Sequence, residues 1–519
     1  MKTTISRGIA TLLVLVGLAA TATAQELAFV VNRGNFWNPG TTVTVFDSTT
    51  FTELTTIEVG EFPTELAVTP DYAFLYVTVT GEDAVAVVSV ADLTVVEKIP
   101  VPGGPLGIAI MPDGSHAYVT NRNDHTVSVI RLSDNTVVET ITGPDPTVSG
   151  DDYFLDTPHG IAITPDGRYA YVANVSFDRD PGSYPSLTVI STADNMVVAT
   201  PDCCGVALNF SATGWGPWDV TIVPDGKTAY TNSGDVGEEL YAVDTDPESP
   251  TWNEMLAILP ASATPESGPR GMESGEPPLG VRVFAGTAET SEIVVIDPTT
   301  MSITSTLSTK NAKTKKNGSW PWRLRLNTAG AHLWVSLKRE SKVMVLDTST
   351  YAEVARFPVD NPADIAFVPF NVEIDIDKVK PSKKKKKRSN KKIKVAILST
   401  PSFDASSAVP SSVAFGPNGA QAIDAGKIRD VNRDGYPDLQ LRFLSRDTGL
   451  ACGDTEATLT GLTFFGAAFY GTDEVDIKGC GKGKKAKKKK SDSDKKAKKR
   501  STKKSGSSKS GKKKSKSKS

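Results

Sequence analysis

The stretch PHGIAITPDGRYAYVAN, from Pro158 to Asn174, decides the fold, because it recurs. A leading proline stands at positions 63, 105, 158, 217, 269, 321 and 362. Seven residues after it comes a turn: Pro70-Asp71, Pro112-Asp113-Gly114, Pro165-Asp166-Gly167, Pro224-Asp225-Gly226 and a lone Pro369. Thirteen residues after it comes an aromatic within a β-branched run: Tyr76, Tyr118, Tyr171, Tyr230 and Trp334. The copy led by Pro269 is degenerate, with one extra residue before Val283-Phe284. Fixed spacing at periods of 41 to 59 residues is the mark of a repeat architecture.

Within each copy an apolar run such as GIAI meets a PDG turn, where Pro presets φ and Gly permits positive φ. Three further short runs follow, as in AYVAN, LTVIS and NMVVAT. Four short antiparallel strands per copy at this period predict propeller blades. The ends complete the count. PADIAFVP (362–369) supplies only a first strand, while LAFVVN (27–32), TVTVFD (42–47) and LTTIEV (54–59) supply only the rest. Six whole copies and one split copy predict an all-β chain with a seven-bladed β-propeller over 25–370. Pairing of the two chain ends would close the ring and remove exposed sheet edges. A stack of solenoid repeats is the competing architecture, and it would leave the terminal halves unpaired.

AYVTN (117–121), AYVAN (170–174) and the PDG…YV spacing resemble the bacterial YVTN-type repeat, related in architecture to lactonase-like propellers. The resemblance covers about 27–370. It implies the fold and leaves activity open, because such propellers serve many purposes.

Residues 371–480 predict a small β-sandwich, with VEIDI, KVAIL, SSVAFG, LQLRF and ATLTG as its strand-like runs. Three pieces, VAILST, DVNRDGYPDL and ACGDTEATLTG, resemble a short C-terminal domain of bacterial secreted proteins. In DVNRDGYPD (430–438), Asp430, Asn432, Asp434 and Asp438 occupy positions 1, 3, 5 and 9. Gly435 and the Tyr436 carbonyl complete a spacing that wraps hard oxygens around Ca2+. Leu441 stands where an EF-hand has Glu, so this predicts a structural calcium loop on a hairpin; the alternative is an Asx-rich turn with no metal. Cys452 and Cys480 are a candidate disulfide in an oxidising compartment, while adjacent Cys203 and Cys204 leave their pairing open.

The net charge of −2 hides strong segregation. Residues 25–370 hold 19 Lys and Arg against 44 Asp and Glu; residues 378–394 hold eleven bases and no acid; residues 481–519 hold twenty bases and two acids. The Lys/Ser-rich tail from 481 predicts a disordered segment. It is suited to anionic envelope polymers or extracellular DNA, without base stacking because it lacks aromatics. At the N-terminus, Lys2 and Arg7 precede an apolar run, Ile9 to Ala20, and an Ala22-Thr23-Ala24 cleavage pattern. This predicts a signal peptide over 1–24 and a secreted, periplasmic or cell-surface protein. No later run is apolar enough to span a bilayer, so no integral membrane segment is expected.

Nothing supports a GxSxG nucleophile, a CxxCH haem site, a dinucleotide loop or a zinc spacing. The repeats serve as an internal control for function: recurring positions are scaffold, and varying positions are free to contact a ligand. The residue after each leading proline varies: Thr64, Leu106, His159, Trp218, Arg270, Trp322, Ala363. Topology places these around the channel mouth, with Trp215 and Trp320 just before two of the prolines. His159, Trp215, Trp218, Arg270, Trp320 and Trp322 are therefore the candidate ligand-binding rim for a glycan or a protein side chain. The competing role is packing among themselves. The longest inserts, including 143–157 and 309–320, open on that same face, where function concentrates. The sequence thus predicts a non-enzymatic binding protein; the alternative is a lactonase-like hydrolase at the channel mouth.

Overall fold

The computed structural model describes residues 26–477, except residue 36, 143–154, 156, 176–185, 199–205, 208–216, 233–238, 261–268, 289, 311–317, 378–390, 401–402, 453, 464–467 and 476. Among these, seven sheets of four antiparallel strands follow one another, six of them ordered from inner to outer strand along the chain. One of them takes a short extra strand, Val206–Ala207, beside Ser186–Ser191. The inner strands include Pro63–Val68, Pro105–Ile110, Pro158–Ile163, Pro269–Gly275 and Pro321–Leu326. The ring closes as the split repeat requires. Pro362–Val368 runs antiparallel to Leu27–Asn35, with Leu27 opposite Val368 and Val30 opposite Ile365.

Why these sequences make blades follows from burial. The second and third strands lie between two neighbouring sheets, so both of their faces are covered and they read as unbroken apolar runs. Ala117–Asn121 and Ala84–Ser89 are buried throughout. The outer strands alternate toward solvent, as in Ser302–Ser308. The repeated aromatic packs into the adjacent blade: Tyr76 joins Ile108, Ala117 and Val119 of the next copy. Its hydroxyl also tethers the blades. Tyr76, Tyr118 and Tyr171 donate to Asn135, Asn195 and Asn253, at 2.5, 2.5 and 2.7 Å. Each of those asparagines sits in a turn with positive φ, a conformation Asn tolerates. In the PDG turns, Gly114, Gly167 and Gly226 have φ of 70, 74 and 73°. Asp113, Asp166 and Asp225 accept the backbone N–H two residues on.

After the ring, two sheets face each other. One holds Phe370–Asn371, Ala468–Glu474, Glu456–Leu462, Ala414–Phe415 and Ala420–Gln421; the other holds Ile374–Ile376, Lys392–Ile397, Asp438–Leu444 and Lys427–Arg429. Val395, Ile397, Phe415, Leu441, Phe443, Leu459 and Phe469 fill the space between them. SSVAFG is shorter as a strand than its pattern predicts, because Pro410–Ser412 forms a 3-10 turn and only Ala414–Phe415 pairs. Tyr470 leaves this core to pack on Tyr72 of the propeller, ring centroids 4.9 Å apart. No helix among the described residues is long and apolar enough to cross a membrane.

Candidate functional site at the channel mouth

Two sets of residues line the mouth. The first follows the leading prolines; the second follows the last residue of each second strand. They are fixed to each other by one repeated backbone bond. The residue before the proline takes positive φ at Phe62, Gly104, Thr157, Trp320 and Asn361. Its carbonyl accepts from the residue after the second strand at Thr80, Arg122, Val175 and Lys338, and, for Asn361, from Arg33 within Leu27–Asn35 of the split blade, at 3.0 to 3.3 Å. Side chains at both positions are thereby held on the same rim.

On this rim the structure brings together His159, Trp218, Arg270 and Trp322. The His159 ring meets Trp218 edge-on at 4.5 Å, and Trp218 meets Trp322 at 6.4 Å. The Arg270 guanidinium lies over both indoles, 4.4 Å from the Trp218 centroid and 5.7 Å from that of Trp322. Lys338 Nζ lies 3.7 Å from the Trp322 centroid, and the Arg339 guanidinium 3.9 Å from that of Trp320. Thus the tryptophans pack on one another and also present half-buried faces. Trp215 lies outside the described residues, as do most of the 143–157 insert and residues 311–317 of the 309–320 insert.

Sequence comparison of the position after each proline missed Arg33, Arg122, Lys338 and Arg339. The signal was present one link away. The residue after the second strand varies among copies too: Thr80, Arg122, Val175, Ala288 and Lys338, with Arg33 in the equivalent place inside Leu27–Asn35 of the split blade. The result is a basic, indole-lined mouth on an otherwise acidic body. His159 is 9% exposed, and its pKa falls well below normal through burial, then through Arg122, Arg270 and Arg33. It is a neutral imidazole whose carbonyl accepts from Thr120 Oγ1 at 2.6 Å. Burial and Arg122 lower the pKa of Arg33; burial, Arg33 and Arg270 push Lys338 down to about 7. Among the described residues, no carboxylate stands within ion-pair distance of Lys338 or Arg33, and the Arg33 Nε is buried without a hydrogen-bond partner.

Below the mouth the second residue after each proline forms a ring: Glu65, Gly107, Gly160, Asp219, Gly271, Arg323, Asp364. At the glycines neighbouring blades touch. A Cβ at Gly107 would lie 2.2 Å from the His159 carbonyl oxygen, and one at Gly271 would lie 2.1 Å from that of Trp322. At the acids, the carboxylate bridges instead: Asp219 accepts Met272 N at 2.9 Å and Asp364 accepts Leu66 N at 3.2 Å. Arg323 reaches across to pair with both Glu65 and Asp219. Arg325 pairs with Glu273 at 3.4 Å and with Asp364 at 3.1 Å. One blade's two arginines thus bind carboxylates of four others. Burial raises Asp219 and Glu273 to about 7, against the pull of Arg325.

In the sandwich, the predicted calcium loop is an exposed turn organised by its own carboxylates. Asp430 Oδ1 accepts from Arg433 N at 2.6 Å and Asp430 Oδ2 from Gly435 N at 3.1 Å. Asp434 Oδ1 accepts from Tyr436 N at 2.8 Å, and Asn432 Nδ2 donates to Asp434 Oδ2 at 2.8 Å. Buried Asp438 joins the loop to the preceding strand, accepting Val431 N and Ser399 N at 2.6 and 2.9 Å. Among the described residues no three His, Cys, Asp or Glu side chains are gathered as metal ligands. A calcium ion here would rest on Asn432 and the Tyr436 carbonyl as well as the aspartates. Cys452 is disulfide-bonded; Cys480, Cys203 and Cys204 lie outside the described residues, as does the basic tail.

Residues 24–150 match the family model described as Lactonase, 7-bladed beta-propeller. Comparison with curated proteins returns no match. Among solved structures, a putative 6-phosphogluconolactonase from Bacteroides uniformis is 18% identical, the likeness covering 66% of this chain and 100% of that one with a TM-score of 0.51. A periplasmic gluconolactonase of Pseudomonas aeruginosa is 17% identical, over 67% of this chain and 99% of that one, with a TM-score of 0.49. At such identities a likeness is one of fold. The described residues form seven four-stranded sheets closed into a ring, and the match to the lactonase-type propeller model is confined to residues 24–150.

Proposed function

We propose that the channel mouth binds a small organic anion with a flat or ring-shaped apolar face, such as a sugar acid. The observation that carries this is the pair of half-buried cations, Arg33 and Lys338, with no carboxylate at ion-pair distance among the described residues, set beside the stacked indoles of Trp218 and Trp322. Cations whose pKa is lowered by burial and by neighbouring cations gain most when an anion arrives between them. Indole faces stack on the apolar side of a sugar ring. In this reading the protein acts as a binding protein outside the cytoplasm, with its tail holding anionic polymers.

Titration calorimetry with gluconate and galacturonate against glucose tests it. The acids bind and glucose does not. Arg270→Gln weakens binding about 10- to 100-fold, the loss of one charge-assisted contact of ~1.5–3 kcal/mol. Equal binding of glucose and gluconate, or an unaffected Arg270→Gln variant, defeats the reading.

A second reading is favoured by the family match over 24–150 and by Asp219 and Glu273, which sit at about 7, where a general acid or base works best. It makes the protein a lactone hydrolase. Turnover of gluconolactone that Glu273→Gln abolishes supports it; no turnover above the spontaneous rate removes it.

A further inference from the structure

The mouth holds one cation that differs in kind from the rest. Arg33, Arg122 and Arg270 carry charges that never leave, whereas an amine sheds its proton when its surroundings oppose the charge. Lys338 is fixed at its base by its N–H, which donates to the Trp320 carbonyl at 3.0 Å. Its Nζ rests on the Trp322 face at 3.7 Å, beside the indole that Arg270 also covers. The nearest acid in sequence, Glu340, is taken by Arg356 at 3.2 Å and Lys342 at 3.6 Å. The indole attracts an ammonium. Desolvation and the two nearby guanidiniums act the other way and win, lowering Lys338 to about 7 and giving it free-amine character at neutral pH. A half-buried amine beside a second cation is an activated nucleophile.

We propose that Lys338 captures the carbonyl group of a carboxylate-bearing aldehyde or ketone as a reversible imine, with Arg33 and Arg270 as the carboxylate's counter-ions. This rests on the anion-binding reading of the same mouth and names the ligand's second functional group. The unprotonated Nζ adds its lone pair to the carbonyl carbon. The carbon–oxygen bond then breaks, and the two protons shed by nitrogen leave with the former carbonyl oxygen as one water. No oxidant or reductant takes part.

The test uses the full chain, glyoxylate as the carbonyl probe, cyanoborohydride to trap the imine, and peptide mapping by mass spectrometry. At pH 7 the Lys338 peptide becomes carboxymethylated at least about 10-fold faster than the tail lysines, whose ordinary pKa near 10.4 leaves them protonated. Excess gluconate, which lacks a carbonyl, suppresses this labelling. The rate at Lys338 rises through pH ~7 and then levels, while labelling elsewhere is still climbing at pH 9. Labelling of Lys338 no faster than that of the tail lysines overturns the proposal. Gluconate binding without trapping at Lys338 removes the imine and leaves the anion reading standing. Absence of both gluconate binding and trapping removes the two together.

Discussion

Arg323 is the residue whose loss the propeller should feel most. It is 7% exposed and pairs with Glu65 and Asp219, carboxylates from two other blades. Arg323→Met keeps much of the volume and removes the charge, leaving both carboxylates in the channel without this partner. Breaking a buried pair from one side costs about 3–5 kcal/mol, mostly because the remaining charge stays desolvated. At about 2 °C per kcal/mol for a body of this size, the melting temperature falls by ~6–10 °C. The pH dependence follows from linkage. Burial raises the folded pKa of Asp219 above its unfolded value, and more so without Arg323, so between pH 5 and 8 the folded state holds more protons than the unfolded one. Stability relative to the parent is therefore least impaired at pH 5 and declines as pH rises to 8. Scanning calorimetry at pH 5, 6, 7 and 8 reads both effects. Adding Glu65→Gln and Asp219→Asn to Arg323→Met should recover more than half the loss, because the charges that made it costly are gone. A loss below about 1 kcal/mol, or one equal at pH 5 and 8, would refute the view that Arg323 serves as their counter-ion.

Other consequences are smaller or more local. Tyr118→Phe deletes the hydroxyl bonded to Asn195 and should cost about 1 kcal/mol. Tyr230→Phe should be neutral or slightly stabilising, since the Tyr230 hydroxyl is buried without a partner; a matching loss in both would show that the tether contributes nothing. If the 430–438 loop holds Ca2+, EDTA lowers the melting temperature of the parent and not of Asp434→Ala, and an unchanged transition with chelator marks the loop as a turn alone. Deleting 481–519 should abolish DNA binding at low salt, and binding by the full chain should vanish by about 0.5 M salt, as a phosphate-only contact requires. Binding that survives the deletion assigns it to another surface.

Much of the fold was legible because propeller physics repeats itself along the chain. A PDG turn needs Gly at positive φ, and the interior of a blade needs β-branched residues on two covered faces. The second demand recurs in every blade and the PDG turn in three of them, so the copies report one pattern. The split of the first copy from the last, PADIAFVP from LAFVVN, even foretold the antiparallel closure of Val30 against Ile365. The mouth was legible in part. His159, Trp218, Arg270 and Trp322 stood out because they break a repeat, and they do converge. Arg33, Arg122 and Lys338 break it too, at the residue after the second strand. They were passed over because only the shared backbone bond to the residue before each proline shows that the two positions occupy one rim.

What the sequence by itself determined is periodic: strand number, turn positions, blade count, the scaffold residues and the segregation of acidic body from basic tail. What only the tertiary structure decided is which departures from the period meet. Glu65, Asp219 and Arg323 look like three unrelated irregularities in the chain, and so do Glu273, Arg325 and Asp364. Closing the ring brings them into one narrow channel, where desolvation makes charge pairing compulsory. The same closure gathers cations from separate blades at the mouth, where burial, and then Arg33 and Arg270 brought in from far along the chain, lower the pKa of Lys338.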